Sequence, residues 1–525
     1  MRARGLFLLQ VLWIAVLWSP PGVAGPAQVQ GRVFDDRNGD GRYSPGEPGI
    51  AGVQVSNGRT LATSDRDGRW RLPAGVGDQV FVIKPAGWRV PASAGGLPAT
   101  WAPVRAGGRI TFALQRDTPR DRPLRVRVFA DPQAKDAREV EFYRRDIVQP
   151  LLAGADGPIG DLGLTLGDLV DDVPALYPSL DAATTSLGIP WLHAPGNHDV
   201  DPGLDDAAAT TTFRRRYGPD TYAWEEHEAL LVVLDDIISL PGQRPSYVGG
   251  LREDQFLFLE AYLAQAPRDR LLVLAMHIPL FDTASGGAAE TFISADRERL
   301  FALIAPFPQV LVLSAHRHTV RQFFHDAASG WQGAVPLRES NIGAASGAYW
   351  SGVADADGIP VATMADGSPN GHALLEVAEG GRYTLRYVPA RLRDDDPSTT
   401  AFVALHAPQV LRRGAYPAFG MFANVTMGHS GSRVEYRVAG GDWHAMTRVD
   451  APDPRLLAEN ARDDSADALR GRDRSPEAEP THHLWRGTLP TDLAAGSHEV
   501  EVRVFDDWHG EQRARIRYRL DDAAD

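Results

Sequence analysis

The chain has 525 residues, no cysteine and a net charge of −14 from 54 Lys+Arg against 68 Asp+Glu. This length exceeds what one hydrophobic core accommodates and predicts roughly three or four domains. The acidic balance argues against a general nucleic-acid binder, and the absence of cysteine excludes disulfides and cysteine-linked lipid anchors.

Residues 1–24 have the pattern of a secretory signal peptide. Basic residues precede an apolar stretch over residues 6–18, and small residues follow up to Ala24. The stretch is interrupted by Gln10 and is shorter than the roughly 20 residues that a transmembrane helix requires. We therefore expect cleavage after Ala24 and a periplasmic or secreted bacterial protein that has no transmembrane segment after cleavage.

Residues 25–117 alternate short apolar runs with glycine and proline, which predicts an N-terminal β-sandwich of immunoglobulin-like or transthyretin-like type. Its first loop fits the calcium pattern D-x-[DN]-x-[DN]-G-x5-E. The candidate ligands for a structural calcium ion are Asp36, Asn38, Asp40 and Glu47. Prolines in the loop break the helices of an EF-hand, so an Asx-rich turn without metal is the alternative.

Residues 118–330 switch to strand-like runs alternating with helical patterns, as in an α/β domain, and an extension to about residue 390 is left open. Five short Val- and Leu-rich runs have the pattern of buried parallel strands. They cover residues 124–129, 162–166, 191–194, 271–276 and 310–313. Each run is followed by a polar cluster, and together these clusters contain Asp131, Gln133, Asp168, Asp171, Asn197, His198, Asp199, His277, His316 and His318.

Because the carboxyl ends of parallel strands meet at one edge of an open sheet, these clusters are expected to converge. Carboxylate, imidazole and amide groups without thiolates suit zinc, manganese or iron. Two such ions about 3.5–4 Å apart neutralise a phosphate ester and activate water. The set therefore predicts a two-metal phosphoesterase centre, although each cluster alone has an ordinary structural explanation.

In order and approximate spacing, the clusters resemble those of the calcineurin-like metallophosphoesterases over residues 124–324. The resemblance implies an αββα core, with two mixed sheets between helical layers. All-β domains on both sides of it are similar to those of secreted bacterial members. It also implies a metal-bridging hydroxide as nucleophile and His198 as the acid that protonates the leaving oxygen, with Asp199 or Asp171 orienting imidazoles.

The resemblance further implies two ligand sets that share Asp168 as a bridging carboxylate. The first set is Asp131, Gln133, Asp168 and His318, and the second is Asp168, Asn197, His277 and His316. Arg317 is expected on the opposite face, without a catalytic role.

Two positions depart from the family pattern. Gln133 stands where the family most often has histidine, and Ala315 stands where it has glycine. A neutral amide binds zinc or iron less tightly than an imidazole and favours manganese or magnesium. The identity of the two divalent ions, manganese, zinc, iron or magnesium, is therefore left open.

Residues 391–525 predict a C-terminal β domain. Within it, residues 450–482 are rich in Asp, Pro and Arg and are expected to form a mobile surface excursion, with a lid as the alternative. Trp350 and the 366–371 segment are expected either to line the mouth of the site or to form tight turns.

The sequence thus predicts a metal-dependent hydrolase acting on a phosphoester of unknown class. Phosphatase and phosphodiesterase activities are not separated, and the oligomeric state is open. Two alternatives are a catalytically weak surface protein that binds phosphorylated glycans or lipids, which Gln133 favours, and a calcium-stabilised adhesive protein.

Overall fold

The computed structural model describes residues 28–73, 78–105, 108–155, 157–281, 290–392, 396–416 and 419–523. The predicted signal peptide lies outside these residues. Among them, no helix is long and apolar enough to cross a membrane.

The N-terminal module is a sandwich of two sheets, with strand orders β4-β1-β8-β6 and β3-β2-β5-β7. Its core is formed by alternate residues of both sheets, among them Val33, Val55, Trp70 and Leu114. The strands are β1 (Gln28–Asp35), β2 (Gln54–Ser56), β3 (Leu61–Thr63), β4 (Arg69–Pro73), β5 (Gln79–Val82), β6 (Trp88–Arg89), β7 (Trp101–Pro103) and β8 (Arg109–Arg116).

The middle of the chain forms an α/β core whose strands continue to Pro389. They are β9 (Leu124–Phe129), β10 (Leu162–Leu166), β11 (Trp191–Ala194), β12 (Tyr222–Glu225), β13 (Ala229–Val233), β14 (Ile237–Ser239), β15 (Tyr247–Gly249), β16 (Leu271–Ala275), β17 (Val310–Ser314), β18 (Val320–His325), β19 (Leu337–Ile342), β20 (Gly352–Val353), β21 (Gly371–Val377) and β22 (Tyr383–Pro389). The helices are α1 (Ala137–Tyr143), which continues through a π-helical turn at Arg144–Val148 into α2 (Gln149–Leu152), then α3 (Tyr177–Thr185), α4 (Asp206–Ala209), α5 (Thr211–Tyr217), α6 (Glu253–Leu263) and α7 (Ser294–Ile304). Short 3₁₀ turns lie at Pro174–Leu176, Ala327–Ser329 and Glu379–Gly381.

Two mixed sheets pack face to face in this core, with strand orders β11-β10-β9-β21-β22 and β12-β13-β16-β17-β19-β18. Strand β16 is apolar throughout because side chains on both of its faces are buried. Val273 packs between the sheets, whereas Leu272 and Leu274 face the layer of α6 and α7. On the other outer face, Phe129 and Trp191 pack with residues of α1 and α3. The architecture is therefore the expected αββα sandwich flanked by β domains.

The C-terminal domain is a second sandwich, with strand orders β23-β25-β30-β28 and β24-β32-β31-β26-β27. Its elements are β23 (Val403–His406), β24 (Val410–Arg412), β25 (Gly420–Val425), β26 (Val434–Val438), β27 (His444–Ala445), β28 (Thr447–Pro452), α8 (Pro454–Asp464), β29 (Gly471–Asp473), β30 (Pro480–Thr488), β31 (Gly496–Asp506) and β32 (Gly510–Asp521).

The expectation of a mobile excursion at residues 450–482 is wrong. This stretch contains the end of β28, helix α8 and strand β29, and β29 pairs with β20 of the core. Arg472 forms ion pairs with Asp136 at 2.8 Å and Glu139 at 2.6 Å, both at the start of α1. Arg472 thus contacts the core, whereas Arg470 and Arg474 pair with acidic residues of α8.

A buried ion pair joins the N-terminal module to the core. Lys84 Nζ lies 2.5 Å from Glu226 Oε1, and Arg120 donates to Glu226 Oε2 at 2.8 Å. Burial lowers the pKa of Lys84 against the opposing effect of Glu226. Lys84 therefore depends on the Glu226 carboxylate to remain charged in this interface.

We expect Glu226→Ala to lower the free energy of unfolding by about 3–5 kcal/mol, because it leaves the Lys84 ammonium buried without a partner. Chemical denaturation of the full chain measures this. Glu477→Ala, at a side chain that is 85% exposed, is the matched control and is expected to change stability by less than about 0.5 kcal/mol. Equal effects of the two substitutions would contradict a structural role for the pair.

Candidate metal centre

The five predicted clusters meet at one edge shared by both sheets. Asp131 and Asp168 follow β9 and β10, Asn197 follows β11, and the predicted histidine ligands follow β16 and β17. The donor atoms of Asp168, His277 and His316 all lie within 4.8 Å of one another. Residues separated by nearly two hundred positions in the sequence thus form one cluster, as the parallel strand order requires.

The backbone at these strand ends is strained. Asp131, Gln133 and Asp168 have φ angles of 44°, 40° and 48°, and His316 and His318 have φ angles of 68° and 47°. Such left-handed conformations of non-glycine residues cost about 1–3 kcal/mol each and cluster at functional sites. They turn the chain sharply after each strand and bring these residues to the same edge.

Glycines before two of the ligands permit this close approach. A Cβ on Gly167 would lie 2.7 Å from His277 Nδ1, and one on Gly196 would lie 2.3 Å from the Asp168 side chain. Ala315, which replaces the family's usual glycine, is fully buried and packs between the sheets, and its N–H donates to the carbonyl of His277 at 2.9 Å.

His277 lies at the centre of the second predicted ligand set. Its Nδ1–H donates to the carbonyl of Leu166 at 2.8 Å, which directs Nε2 into the site. That nitrogen lies 3.1 Å from Asn197 Oδ1, 3.2 Å from Asp168 Oδ2 and 3.2 Å from His316 Nδ1. Four groups that bind cations through lone pairs therefore face a common point.

The carboxylates of this cluster favour a positive charge at its centre. Burial opposes the charged form of His277, but Asp168, Asp131 and Asp236 raise its pKa to about 10. Burial, followed by the charge of His277, lowers the pKa of His316 to about 3. A bound metal ion would supply the positive charge that these carboxylates favour.

The first predicted ligand set surrounds buried oxygens that lack hydrogen-bond partners. Asp131 Oδ2 and Gln133 Oε1 have none, although both residues are at most 2% exposed. Burial raises the pKa of Asp131 and lowers that of His318 to about 4. Because His318 Nδ1–H donates to the carbonyl of Gly347 at 2.5 Å, its Nε2 is free to bind. This donor set fits a metal ion.

Gln133 is oriented by Asp171. Its Nε2 donates to Asp171 Oδ1 at 3.4 Å, which turns the amide oxygen away from that carboxylate. An amide held in this way presents a neutral oxygen as a ligand. Asp171 also lies 3.3 Å from His198 Nδ1, so it contacts both a predicted ligand and the predicted acid.

His198 is held at two points. Its backbone N–H donates to Asp168 Oδ1 at 2.8 Å, and its Nδ1 lies 3.0 Å from Asp172 Oδ1. Asp172, which the sequence analysis did not single out, is thus closer to the imidazole than Asp171. The φ angle of Asp172 is 59°. The sequence does not reveal such a backbone conformation and so gave no signal that this residue lies beside His198.

Asp199 has a different role from the expected one. Its carboxylate accepts from the N–H groups of Leu169 and Gly196 and from the hydroxyl of Tyr177 at 3.0 Å. It therefore ties the loops after β10 and β11 together rather than orienting an imidazole. Burial and the neighbouring Asp168 raise the pKa of Asp199 to about 7.

Two tyrosines border the centre, and sequence reasoning missed both. The ring centroids of Tyr349 and His318 lie 4.5 Å apart, and those of Tyr247 and His316 lie 5.8 Å apart. Tyr349 is 54% exposed, whereas Trp350 is only 1% exposed and donates to the carbonyl of Pro132 at 2.9 Å. Trp350 thus supports the turn after β9, and Tyr349 is the aromatic residue that faces solvent.

The 366–371 segment has a structural role. Asp366 accepts from the N–H of Val320 at 2.8 Å and lies 3.1 Å from His483 Nε2 of β30. Asn370 donates to Asp146 at 2.8 Å. The segment forms turns that attach the C-terminal domain to the core.

Comparison with protein-family models identifies the flanking regions. Residues 37–117 match the N-terminal domain and residues 339–512 match the C-terminal domain of calcineurin-like phosphoesterases. These matches support assigning the chain to the calcineurin-like metallophosphoesterase superfamily. Members of this superfamily use dinuclear metal centres, in agreement with the donor set described above.

A curated relative is the probable glycerophosphodiester phosphodiesterase GpdQ of Arcobacter nitrofigilis. It is 30% identical over 171 residues, which cover 31% of this chain and 58% of the relative. The match thus spans little more than half the length of that relative.

Two solved structures are similar at low TM-scores. Purple acid phosphatase PPD1 from yellow lupin (Lupinus luteus) seeds has 13% identity and a TM-score of 0.37, with 64% of this chain and 66% of that chain covered. GAP50, the anchor in the inner membrane complex of Plasmodium, has 12% identity and a TM-score of 0.32, with 52% and 86% covered.

The calcium loop between β1 and β2 is held by its own backbone. Asp36 accepts from the N–H groups of Gly39 at 2.9 Å and Gly41 at 3.1 Å. Asn38 and Asp40 accept from nearby N–H groups, and Glu47 accepts from those of Arg37 and Ser44. These are the bonds of Asx turns, so they agree with both readings of the loop, and calcium stays a prediction.

Calcium at about 10 mM is expected to stabilise the full chain by about 1.4–2.7 kcal/mol, given the dissociation constants of about 10⁻⁴–10⁻³ M that are typical of extracellular modules. Thermal melts with and without calcium measure this. Asp40→Asn with Glu47→Gln removes two charges from the loop and is expected to abolish the increment. Stabilisation by calcium that survives in this variant would place the calcium ion elsewhere. The absence of stabilisation in the wild type would favour the Asx turn without metal.

Gln133→Leu is expected to reduce bound manganese from about two ions to about one per chain, because it removes the amide oxygen at nearly constant volume. Gln133→His is expected to bind zinc more tightly than the wild type, since imidazole is the better zinc ligand. Elemental analysis after dialysis measures both. Gln243→Leu, at an exposed glutamine, is the control, and unchanged metal content in Gln133→Leu would remove Gln133 from the ligand set.

Proposed function

We propose that the protein hydrolyses phosphoesters at this centre with two bound divalent metal ions. One observation carries the proposal. The donor atoms of Asp168, His277 and His316 converge within 4.8 Å, next to buried oxygens of Asp131 and Gln133 that have no hydrogen-bond partner. A buried group of this composition binds cations, and its position at the carboxyl ends of parallel strands leaves it open to a substrate.

In this proposal Asp131, Gln133, Asp168 and His318 would hold one metal ion, and Asp168, Asn197, His277 and His316 would hold the other. Such ions would neutralise the charge on the phosphoryl oxygens and would supply an activated water molecule. Among manganese, zinc, iron and magnesium, the amide of Gln133 favours the harder ions at the first site.

His198 supplies the proton for the leaving oxygen in this proposal. Its Nδ1 lies near the carboxylates of Asp171 and Asp172, which fixes the ring and leaves Nε2 to carry the transferred proton. The bond from its backbone N–H to Asp168 keeps the imidazole beside the metal ligands. The ring is partly exposed, as a group that transfers a proton to a bound substrate requires.

The substrate is a phosphoester, with diesters as the first class to test. The relative from Arcobacter nitrofigilis is described as a probable glycerophosphodiester phosphodiesterase, which supports including diesters. We further propose that the protein is exported by the signal-like residues 1–24. N-terminal sequencing of protein recovered outside the cytoplasm tests this, with Ala24 as the expected last residue removed.

His198→Ala is expected to lower kcat by about 10²–10⁴-fold, because it removes the proton donor. The loss is expected to be larger for an alkyl ester than for a p-nitrophenyl ester, since nitrophenolate leaves with little need for a proton. Assays of manganese-loaded protein on matched alkyl and p-nitrophenyl diesters measure this.

Asp168→Asn is expected to abolish both activities, whereas His444→Ala, at an exposed histidine of β27, serves as the control. Equal losses on the two esters would contradict the role of His198. The absence of hydrolysis by the wild type with manganese, zinc, iron and magnesium would contradict the proposed function itself.

A further inference from the structure

A cavity of about 290 Å³ lies beside the metal centre, between the core and the C-terminal domain. Arg317, Thr319 and Arg321 line it from the core, and Thr481 and His482 line it from β30. Arg317 lies in the chain between the predicted ligands His316 and His318. The cavity therefore begins directly at the turn that carries two predicted ligands.

Arg317 lies on the turn between β17 and β18, between the predicted ligands His316 and His318. Its side chain is exposed, so a ligand can reach it. The residue thus lines the cavity from the turn that carries two predicted ligands.

Although the chain has a net charge of −14, neither the Arg317 nor the Arg321 guanidinium forms a hydrogen bond or an ion pair within the described part of the chain. Arg321 instead lies over the rings of Phe281 at 4.4 Å and Phe323 at 5.2 Å. Aromatic contacts fix its position but leave its N–H groups free for a planar anion.

The acids near the cavity are engaged with other groups or exposed to solvent. Asp366 accepts from Val320, Ser368 and His483. Glu339, which lies near Arg321, accepts from the N–H of Leu280 and the hydroxyl of Ser314. Glu479 is exposed, and Asp450 lies 3.9 Å from His482. The cavity is therefore lined by two arginines that form no ion pair with these acids.

Resting on the proposed function, we infer that this cavity binds a second anionic group on the alcohol part of the phosphoester. The substrate class is then a phosphoester that carries a further phosphate or carboxylate group. The volume accommodates one such group and its linker, and guanidinium groups bind both kinds of anion through paired hydrogen bonds.

The kinetic test compares phenyl phosphate with para-carboxyphenyl phosphate and para-phenylene bisphosphate on manganese-loaded full-length protein. The wild type is expected to prefer at least one of the two anionic substrates by about tenfold or more in kcat/KM, and the preferred substrate distinguishes carboxylate from phosphate. Arg317→Gln and Arg321→Gln are expected to reduce this preference by about 10- to 100-fold, since a hydrogen bond to a charged group contributes about 1.5–3 kcal/mol.

Arg59→Gln, at an exposed arginine of the N-terminal module, is the control and is expected to keep the preference. Arg321→Lys is expected to retain part of it, because the charge remains while the paired donors are lost. A wild-type ratio of kcat/KM values near one between anionic and neutral substrates would overturn the inference while leaving the proposed function intact. So would arginine variants in which kcat/KM falls equally for all three substrates.

A second measurement does not depend on hydrolysis. Calorimetric titration of metal-free full-length protein with inorganic phosphate is expected to show binding that Arg317→Gln, a substitution at an exposed position, weakens by about tenfold or more. Binding in the wild type that is lost in the variant supports the cavity even if no phosphoester is hydrolysed. Equal binding by the wild type and the variant, or no binding by either, overturns the inference.

Discussion

The structure depends on burying the carboxylates of Asp131 and Asp168 together at the edge shared by two sheets. Burial raises the pKa of Asp131, whereas at Asp168 burial is outweighed by the combined charges and hydrogen bonds of His277 and His198, which lower its pKa. Two carboxylates removed from water require positive charge nearby. The imidazoles, the amides and the strained turns surround these carboxylates with groups that fit a bound cation.

Holding this group together requires support from outside the ligands. The left-handed turn at Asp131 is fixed by Ser346, whose hydroxyl donates to its carbonyl at 2.8 Å, and by Trp350 beneath Pro132. Asp199 ties the Asp168 loop to the Gly196 loop through backbone N–H groups. Buried polar networks of this kind hold strained residues because each member satisfies another.

The sequence predicted the sandwich core and the converging clusters because these depend on local signals, namely apolar runs and the polar residues directly after them. The roles of Asp199, Asp172 and Tyr349 depend on which neighbouring loop each side chain faces, and no local pattern carries that information. Residues 450–482 were mispredicted for the same reason. The charges locally suggest solvation, but Arg472 pairs with Asp136 and Glu139 more than three hundred positions away.

The C-terminal domain is part of the site rather than an appendage. Asn424 and His483 of that domain hold Asp366, and Asp366 in turn accepts from the N–H of Val320, two residues after His318. The start of β18, and with it the position of His318, therefore depends on contacts with the second sandwich. The same contacts place β30 opposite Arg317 and Arg321. A core of this fold cut at Pro389 would therefore lose one wall of the cavity together with the contacts that hold the turn of a predicted ligand.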